Sequence, residues 1–269
     1  MEPELKLSGW ALILGASSGF GEATSLELAR RGMDIVGVHL DRRSTMPNVE
    51  RITAEIRALG RRVNFYNVNA ADEQKRKDVL DAIQREVVAD APTPPVRVLM
   101  HSLAFGTLRP FITEPAPEGI SKAQMDMTLD VMAHSLVYWT QDMVARKLLG
   151  DGSRIFAMTS AGGHRMMPSY GAVSAAKAAL ESHVRQLAFE LAPRKVTANS
   201  ICAGVTDTPA LRKIPGNEVI VATATARNPS QRLTTTTDVA RAIAALSHPA
   251  SGWITGNVIN VDGGEDIAG

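Results

Sequence analysis

The chain has 269 residues, 29 of them Lys or Arg and 28 Asp or Glu, for a formal net charge of +1. That balance, with no basic block, argues against nucleic acid or an anionic membrane as a partner. The single cysteine, Cys202, excludes an internal disulfide framework and fits a reducing cytoplasm. A lone cysteine of this kind reads as a small buried apolar residue. The opening MEPELKLSG lacks the apolar stretch of a signal peptide, and no apolar run is long enough to span a bilayer. The six histidines, at positions 39, 101, 134, 164, 183 and 248, show no metal-ligand spacing with Cys or carboxylates, so no metal site is expected.

Short apolar runs alternate with helical patterns along the chain. Residues 10–14 (WALIL) read as a buried strand, followed by a glycine-rich turn and a helix through about residue 31. A strand at 35–38, a helix at 49–59, a strand at 62–68 and a helix at 72–88 come next. In the last of these Val79, Leu80, Ile83 and Val87 share one side. The proline-rich stretch at 90–95 reads as a loop inside one fold. Then follow a strand at 96–100, a long helix at 124–148, a strand at 155–159, an Ala-rich helix carrying Tyr170 and Lys177, and a strand at 196–201. Residues 203–232 are loop-like with several prolines; a helix at 238–246 and a strand at 257–261 close the pattern. Strands alternating with helices predict right-handed crossovers and a parallel sheet covered on both faces. The expected architecture is therefore a single α/β domain over residues 1–269, a doubly wound Rossmann-type sheet of about seven strands. Its ligand crevice belongs at the carboxyl ends of the strands, where strand order reverses.

Two motifs carry chemistry. Gly15-Ala16-Ser17-Ser18-Gly19-Phe20-Gly21 lies directly after the first strand and at the mouth of the first helix. Glycines there allow a tight turn and close approach of a pyrophosphate, which helix N–H groups then hold. The second motif is Tyr170 and Lys177 in YGAVSAAKAAL. Seven residues is nearly two helical turns, so the spacing predicts both side chains on one face of a helix. A tyrosine beside a fixed ammonium is a candidate general acid, its pKa lowered by the cation.

With these motifs in this order, the chain resembles the short-chain dehydrogenase/reductase family over nearly its whole length. The family's glycine motif matches Gly15, Gly19 and Gly21, and ITGNVINVDGG at 254–264 also looks like the family. The resemblance implies a nicotinamide dinucleotide held by the Ser17, Ser18 and Phe20 region of that loop, by Asn69 and Ala70 at the adenine, and by His101, Ser102 and Leu103 after the fourth strand. It further implies that Lys177 binds the nicotinamide ribose. In Ala203-Gly204-Val205-Thr206-Asp207-Thr208, it implies that Val205 meets the nicotinamide amide and Thr206 and Thr208 the phosphates. Which dinucleotide binds turns on the residues after the second strand. His39 stands where an acid would read the ribose hydroxyl of NADH and Asp41 comes late, whereas Arg42 and Arg43 suit the 2′-phosphate of NADPH. NADPH is the expectation, NADH the alternative.

The spacing selects a branch. Carbonyl-reducing members carry Tyr-x3-Lys, and the corresponding position here is Val173, which donates no proton. The tyrosine stands three residues earlier, roughly 4.5 Å along a helix. Tyr-x6-Lys resembles the enoyl-acyl-carrier-protein reductases. So do His101-Ser102-Leu103-Ala104-Phe105 after strand four and Met132 where carbonyl reducers place an asparagine. One residue departs: many enoyl reductases carry a second tyrosine where this chain has Ser160, which in carbonyl reducers holds a substrate oxygen. Ser160 is therefore a substrate-contact candidate, or else a cap for the helix behind it. Gly162, Gly163, Met166 and Met167 are expected to wall the pocket, and the 203–232 loop to cover it.

The resemblance implies reduction of a trans-2-enoyl thioester, presented by acyl carrier protein or coenzyme A, in fatty-acid synthesis. A β-ketoacyl or hydroxysteroid-type carbonyl reductase is the alternative, and a non-catalytic nucleotide-binding regulator a third reading. Retention of Tyr170 and Lys177 speaks against the third. The 124–149 helix is apolar around more than one face, which predicts a homodimer or a homotetramer.

Overall fold

The computed structural model describes residues 5–87, 91–114, 118–214 and 216–268. Seven strands form one parallel sheet: β1 (Trp10–Leu14), β2 (Asp34–His39), β3 (Val63–Asn67), β4 (Val96–His101), β5 (Arg154–Ser160), β6 (Thr197–Ala203) and β7 (Val258–Val261). Their spatial order is β3-β2-β1-β4-β5-β6-β7, so strand order reverses between β1 and β4. β1 shows why the sheet is covered on both faces. Successive strand side chains point to opposite sides. Leu12 and Leu14 join one buried cluster, while Ala11 and Ile13 join another.

The first cluster is roofed by α3 (Glu73–Ala82), α5 (Ser135–Ala145) and α6 (Gly171–Leu191) through Leu80, Trp139 and Leu180. The second is roofed by α1 (Gly19–Arg30), α2 (Met46–Ala58) and α8 (Thr236–Leu246) through Leu28, Ile52 and Ile243. A third, smaller cluster at the carboxyl end of the sheet joins Met132, Tyr170, Val173 and Ala176, with Leu108, Met167 and Ile214 packed against it.

Four elements depart from the sequence pattern. The long helix expected at 124–148 is two helices, α4 (Lys122–Leu129) and α5, separated by a π-helical turn at Asp130–His134. Ser121 and Gln124 form a reciprocal cap that starts α4 early. Lys147, at φ 57, turns the chain away soon after α5 ends. The 72–88 helix likewise finishes in a π turn at Ile83–Val87, and Val88 lies outside the described residues, as does Asp90 of the expected loop. Residues 203–232 are not all loop: α7 (Asn217–Arg227) occupies their centre. Finally, α6 begins at Gly171, so Tyr170 precedes the helix instead of standing within it. Cys202 is buried, and burial pushes its thiol up to about 12, which leaves it an inert apolar neighbour.

Candidate active site

The reversal of strand order opens a crevice between the ends of β1 and β4, and the glycine loop lines it. Gly15 takes φ 90, and a Cβ there would lie 2.5 Å from the Ser102 carbonyl oxygen. A Cβ on Gly21 would lie 2.0 Å from the carbonyl oxygen of Gly15. Both are closer than any side chain tolerates, so glycine is obligatory at each. The N–H groups of Gly15 and Ala16 are taken by the Val38 carbonyl, at 2.8 and 3.1 Å. α1 begins at Gly19, and its first turn has N–H groups without an intrahelical acceptor, pointed at the crevice mouth. Thr208 packs 3.6 Å from the Cβ position of Gly19, and Thr206 and Thr208 are both buried. The glycine loop and the segment after β6 thus meet. This cradle fits a dinucleotide pyrophosphate.

At the far end of the crevice, Ala70 is buried and its carbonyl accepts the Trp139 indole N–H at 2.8 Å, while Asn69 turns its amide oxygen onto the Ala71 N–H. Beyond β2, His39 Nδ1 lies 2.9 Å from Asp41 Oδ2. Burial pushes the Asp41 carboxyl up, but the facing hydroxyls of Ser17 and Thr45 and the His39 ring outweigh it and hold the group below the ordinary carboxylate value. Arg42 and Arg43 are exposed and their guanidinium groups carry no ion pair among the described residues. A carboxylate facing Ser17 and two free arginines therefore stand on the same turn.

The candidate catalytic rim lies at the end of β5 and the start of α6. Tyr170 occupies the N-cap position of α6 at φ −95, after a tight turn in which Ser169 takes φ 62. Its ring packs against Gly162, where a Cβ would be 2.5 Å from Cε1. Burial pushes the phenol above its ordinary pKa, and the nearby Ser160 hydroxyl works against that. Ser160 Oγ is itself buried and makes no hydrogen bond of ordinary geometry. Two oxygens thus converge on a space from which water is largely excluded, and one of them lacks a partner.

Lys177 is tied to β5. Its ammonium is buried and donates to the Met158 carbonyl at 2.7 Å, one residue before Thr159. The groups acting on the phenol are burial and Ser160; the cation is not among them. Burial lowers Lys177 from 10.5 to about 8, with Glu181, one turn further along α6, holding it up. Glu181 in turn accepts the Thr159 hydroxyl at 2.6 Å. His101 is also buried, bonded to Ser135 at 2.9 Å, and burial together with Lys177 pushes it down to about 3, so it is neutral. Val173, where carbonyl reducers carry their tyrosine, is sealed: Cβ placed on Gly106 would meet Met132 Sδ at 2.8 Å and Val173 Cγ2 at 2.9 Å. Hydrocarbon fills the ordinary proton-donor position.

A family model described as Enoyl-(Acyl carrier protein) reductase matches residues 15–265. The chain belongs to the short-chain dehydrogenase/reductase family. Within it, this reductase resembles the enoyl-acyl-carrier-protein reductase branch. It is 30% identical to a 3-oxoacyl-acyl-carrier-protein reductase of Aggregatibacter actinomycetemcomitans, over 96% of this chain and 99% of that one. It is 31% identical to an NADH enoyl-acyl-carrier-protein reductase of Enterococcus faecalis, over 62% of this chain and 65% of that one. Among solved structures, an enoyl-acyl-carrier-protein reductase (NADH) from Aquifex aeolicus superposes with a TM-score of 0.84 at 23% identity, covering 99% of both chains, which shows a shared fold. Relatives of both branches carry nicotinamide-cofactor names, and this reductase is an oxidoreductase of that kind.

Among the described residues, no three His, Cys, Asp or Glu side chains are arranged to hold a metal ion, and no helix is long and apolar enough to cross a membrane. Sequence reading passed over the segment after β7. Glu265 Oε2 accepts the Val205 N–H at 3.0 Å, and Asp266 pairs with Arg165 at 2.8 Å. Two charged residues after a pair of glycines were the only signal.

Proposed function

We propose that this reductase reduces trans-2-enoyl thioesters, presented by acyl carrier protein, at the expense of NADPH. One observation carries the reading. The proton-donor position of carbonyl reducers is filled by Val173 and Met132, while Tyr170 stands three residues earlier, at the start of α6, beside a Ser160 oxygen without a hydrogen-bond partner. A bound nicotinamide supplies the hydride. In an enoyl thioester that hydride reaches Cβ, and negative charge develops on the thioester oxygen, three bonds away. A donor displaced from the nicotinamide suits that oxygen; carbonyl reduction instead needs hydride and proton on directly bonded atoms. Tyr170 hydrogen-bonds the developing enolate oxygen, with Ser160 as a second donor in a low-dielectric pocket. Lys177, charged below about pH 8, holds the cofactor ribose and keeps the field of the site positive. Leu108, Met167 and Ile214 give the acyl chain an apolar wall.

Ser160 favours a second reading, because a serine and a tyrosine facing one space also suit a ketone oxygen. NADPH oxidation with a trans-2-enoyl thioester, beside a β-ketoacyl thioester, separates the two. Turnover of the ketone alone retires the enoyl reading. For the cofactor, Arg42 and Arg43 favour NADPH, whereas Asp41 facing Ser17 favours a free ribose hydroxyl and hence NADH. Two copies of the chain pair through α4, α5 and α6, where Tyr138 is 39% and Phe189 is 78% exposed. The cytoplasm is the compartment that the free thiol suits.

A further inference from the structure

The segment after β7 folds back across the active-site rim. Gly263 and Gly264 take φ 64 and φ 87, and the buried Asp262 closes the turn: its carboxylate accepts the N–H of Gly264 and of Asp266, each at 2.9 Å. The next two side chains reach different walls of the site. Glu265 Oε2 accepts the Val205 N–H at 3.0 Å, on the cofactor segment after β6. It lies so close that a Cβ on Gly204 would be 2.9 Å from it. Asp266 accepts Arg165 Nε at 2.8 Å and faces His164 Nε2 at 3.1 Å, both on the loop between Ser160 and Tyr170. The Asp266 carbonyl also accepts from Arg165. The segment is anchored at the end of α7, where Asn228 donates to the Asp262 carbonyl at 2.8 Å and Arg227 to the Ala268 carbonyl at 2.6 Å.

Seven residues, 262–268, therefore touch the segment after β6, the loop before Tyr170 and the end of α7. We propose that this segment is a strap that sets the cofactor segment and the Tyr170 loop in register, with Glu265 and Asp266 as positioning residues. The inference rests on the reading of Tyr170 as the group that meets substrate. Adjacent residues on a closed turn cannot move independently, so the grip on Val205 and the grip on Arg165 are mechanically one. The charges fit: Arg165 pairs with Asp266, and Arg227 acts on Glu265. Burial raises the Glu265 carboxyl above its ordinary value, the Val205 N–H opposes that, and the Asp262 charge adds to the rise. A tyrosine borne on a turn, not on a helix, needs such a device. A 1 Å error in placement costs on the order of a hundredfold in rate.

The test uses Arg165→Ala, Asp266→Ala, their double variant, Glu265→Ala and Glu265→Gln in the full chain. Cofactor dissociation constants come from dihydronicotinamide fluorescence without substrate, and kcat and KM from enoyl-thioester reduction. Trypsin cleavage after Arg165 in Asp266→Ala reports loop freedom without any turnover. Arg165→Ala and Asp266→Ala should each lower kcat about tenfold, and the double variant no further than either, as for partners in one contact. Because the two grips move together, cofactor binding in those three should also weaken, by about twofold, less than in Glu265→Ala. Glu265→Ala should weaken cofactor binding about fivefold, while Glu265→Gln, whose amide oxygen still accepts the Val205 N–H, restores most of it. Trypsin should cut Asp266→Ala faster than the parent. Additive losses in the double variant, or unchanged trypsin cleavage together with unchanged cofactor binding in Glu265→Ala, overturn the strap. A parent enzyme that ignores enoyl thioesters retires only the proposed substrate, because the fluorescence and trypsin arms still decide the strap.

Discussion

The two walls of the crevice are made of different material. The cofactor wall is backbone: Gly15 and Gly21 leave no room for a single carbon, and the first turn of α1 offers N–H groups fixed by helix geometry. The catalytic wall is side chain: Tyr170 on a turn, Ser160 without a partner, Lys177 bonded to one carbonyl, and the strap holding the loop from outside. A backbone wall has one solution and tolerates no substitution at its glycines. A side-chain wall can be rebuilt by small changes, and the two branches of this family differ there.

The sharpest break of that contrast is Gly21→Ala. A methyl 2.0 Å from the Gly15 carbonyl cannot be absorbed by a rotamer change, because both atoms belong to the scaffold. Overpacking of this kind costs about 3 kcal/mol or more. The variant should lose dinucleotide binding altogether and melt earlier in a denaturant titration. Normal cofactor binding by Gly21→Ala would show that the cradle is adaptable after all.

Tyr170→Phe addresses the other wall. The ring still packs on Gly162, so folding and cofactor affinity should change little, while enoyl-thioester turnover falls about 10²- to 10³-fold. A loss of cofactor binding equal to the loss of turnover would place the phenol in the cofactor wall instead. Ser160→Ala should cost less, about tenfold, since one donor remains.

Between the walls, Arg42 and Arg43 decide how the cofactor wall ends. Replacing both with Ala should weaken NADPH binding about tenfold and leave NADH nearly unchanged, because a charged hydrogen bond to the 2′-phosphate is lost. Equal losses for both cofactors would assign the discrimination to Asp41.

The smallest expected effect is a shift in pH dependence. Lys177 falls from 10.5 to about 8 in the folded chain through burial. Between those values the unfolded chain binds the extra proton, so this group's contribution makes the fold more stable as pH rises through that window. Function runs the other way: the charged ammonium is lost above about pH 8, and kcat/KM should fall by up to about tenfold per unit there. Glu181→Gln removes the charge that supports Lys177, so the falling limb should move to lower pH by a fraction of a unit. A limb unmoved in Glu181→Gln would show that another group sets it. His101, pushed down to about 3 and so neutral above that, Cys202, pushed up to about 12, and the charge of Glu181 are what face Lys177 from β4, β6 and α6.

What sequence shows and hides follows the same division. Seven strands, their alternation with helices and the glycine cradle are readable because periodicity and glycine spacing are local properties. Bounds missed where side chains or turns intervene locally, as at the Ser121 cap and the π turn at Asp130–His134 that splits the expected long helix. α7 escaped notice within a proline-bearing stretch. In the site, the seven-residue spacing of Tyr170 and Lys177 was visible, but the geometry behind it was not. Spacing alone cannot tell a helix from the turn that starts one. Nor does it show that a lysine bonds a strand carbonyl, or that Glu265 and Asp266 arrive from the far end of the chain to hold both loops. Those contacts join residues 60 and 101 positions apart.

Tyr170 and Lys177 belong to different mechanical classes. The lysine is built into α6 and tied to β5, so it moves only if the framework does. The tyrosine ends a turn whose shape depends on the nine residues, 161–169, before it. The Tyr170 carbonyl accepts the Ser174 N–H at 2.8 Å, so the phenol keeps its tie to α6 while changes in 161–169 reshape the pocket wall around it and leave lysine, ribose site and sheet in place. A lineage could thus change which substrate fits against the phenol by a change in loop length, with no intermediate that forfeits its cofactor.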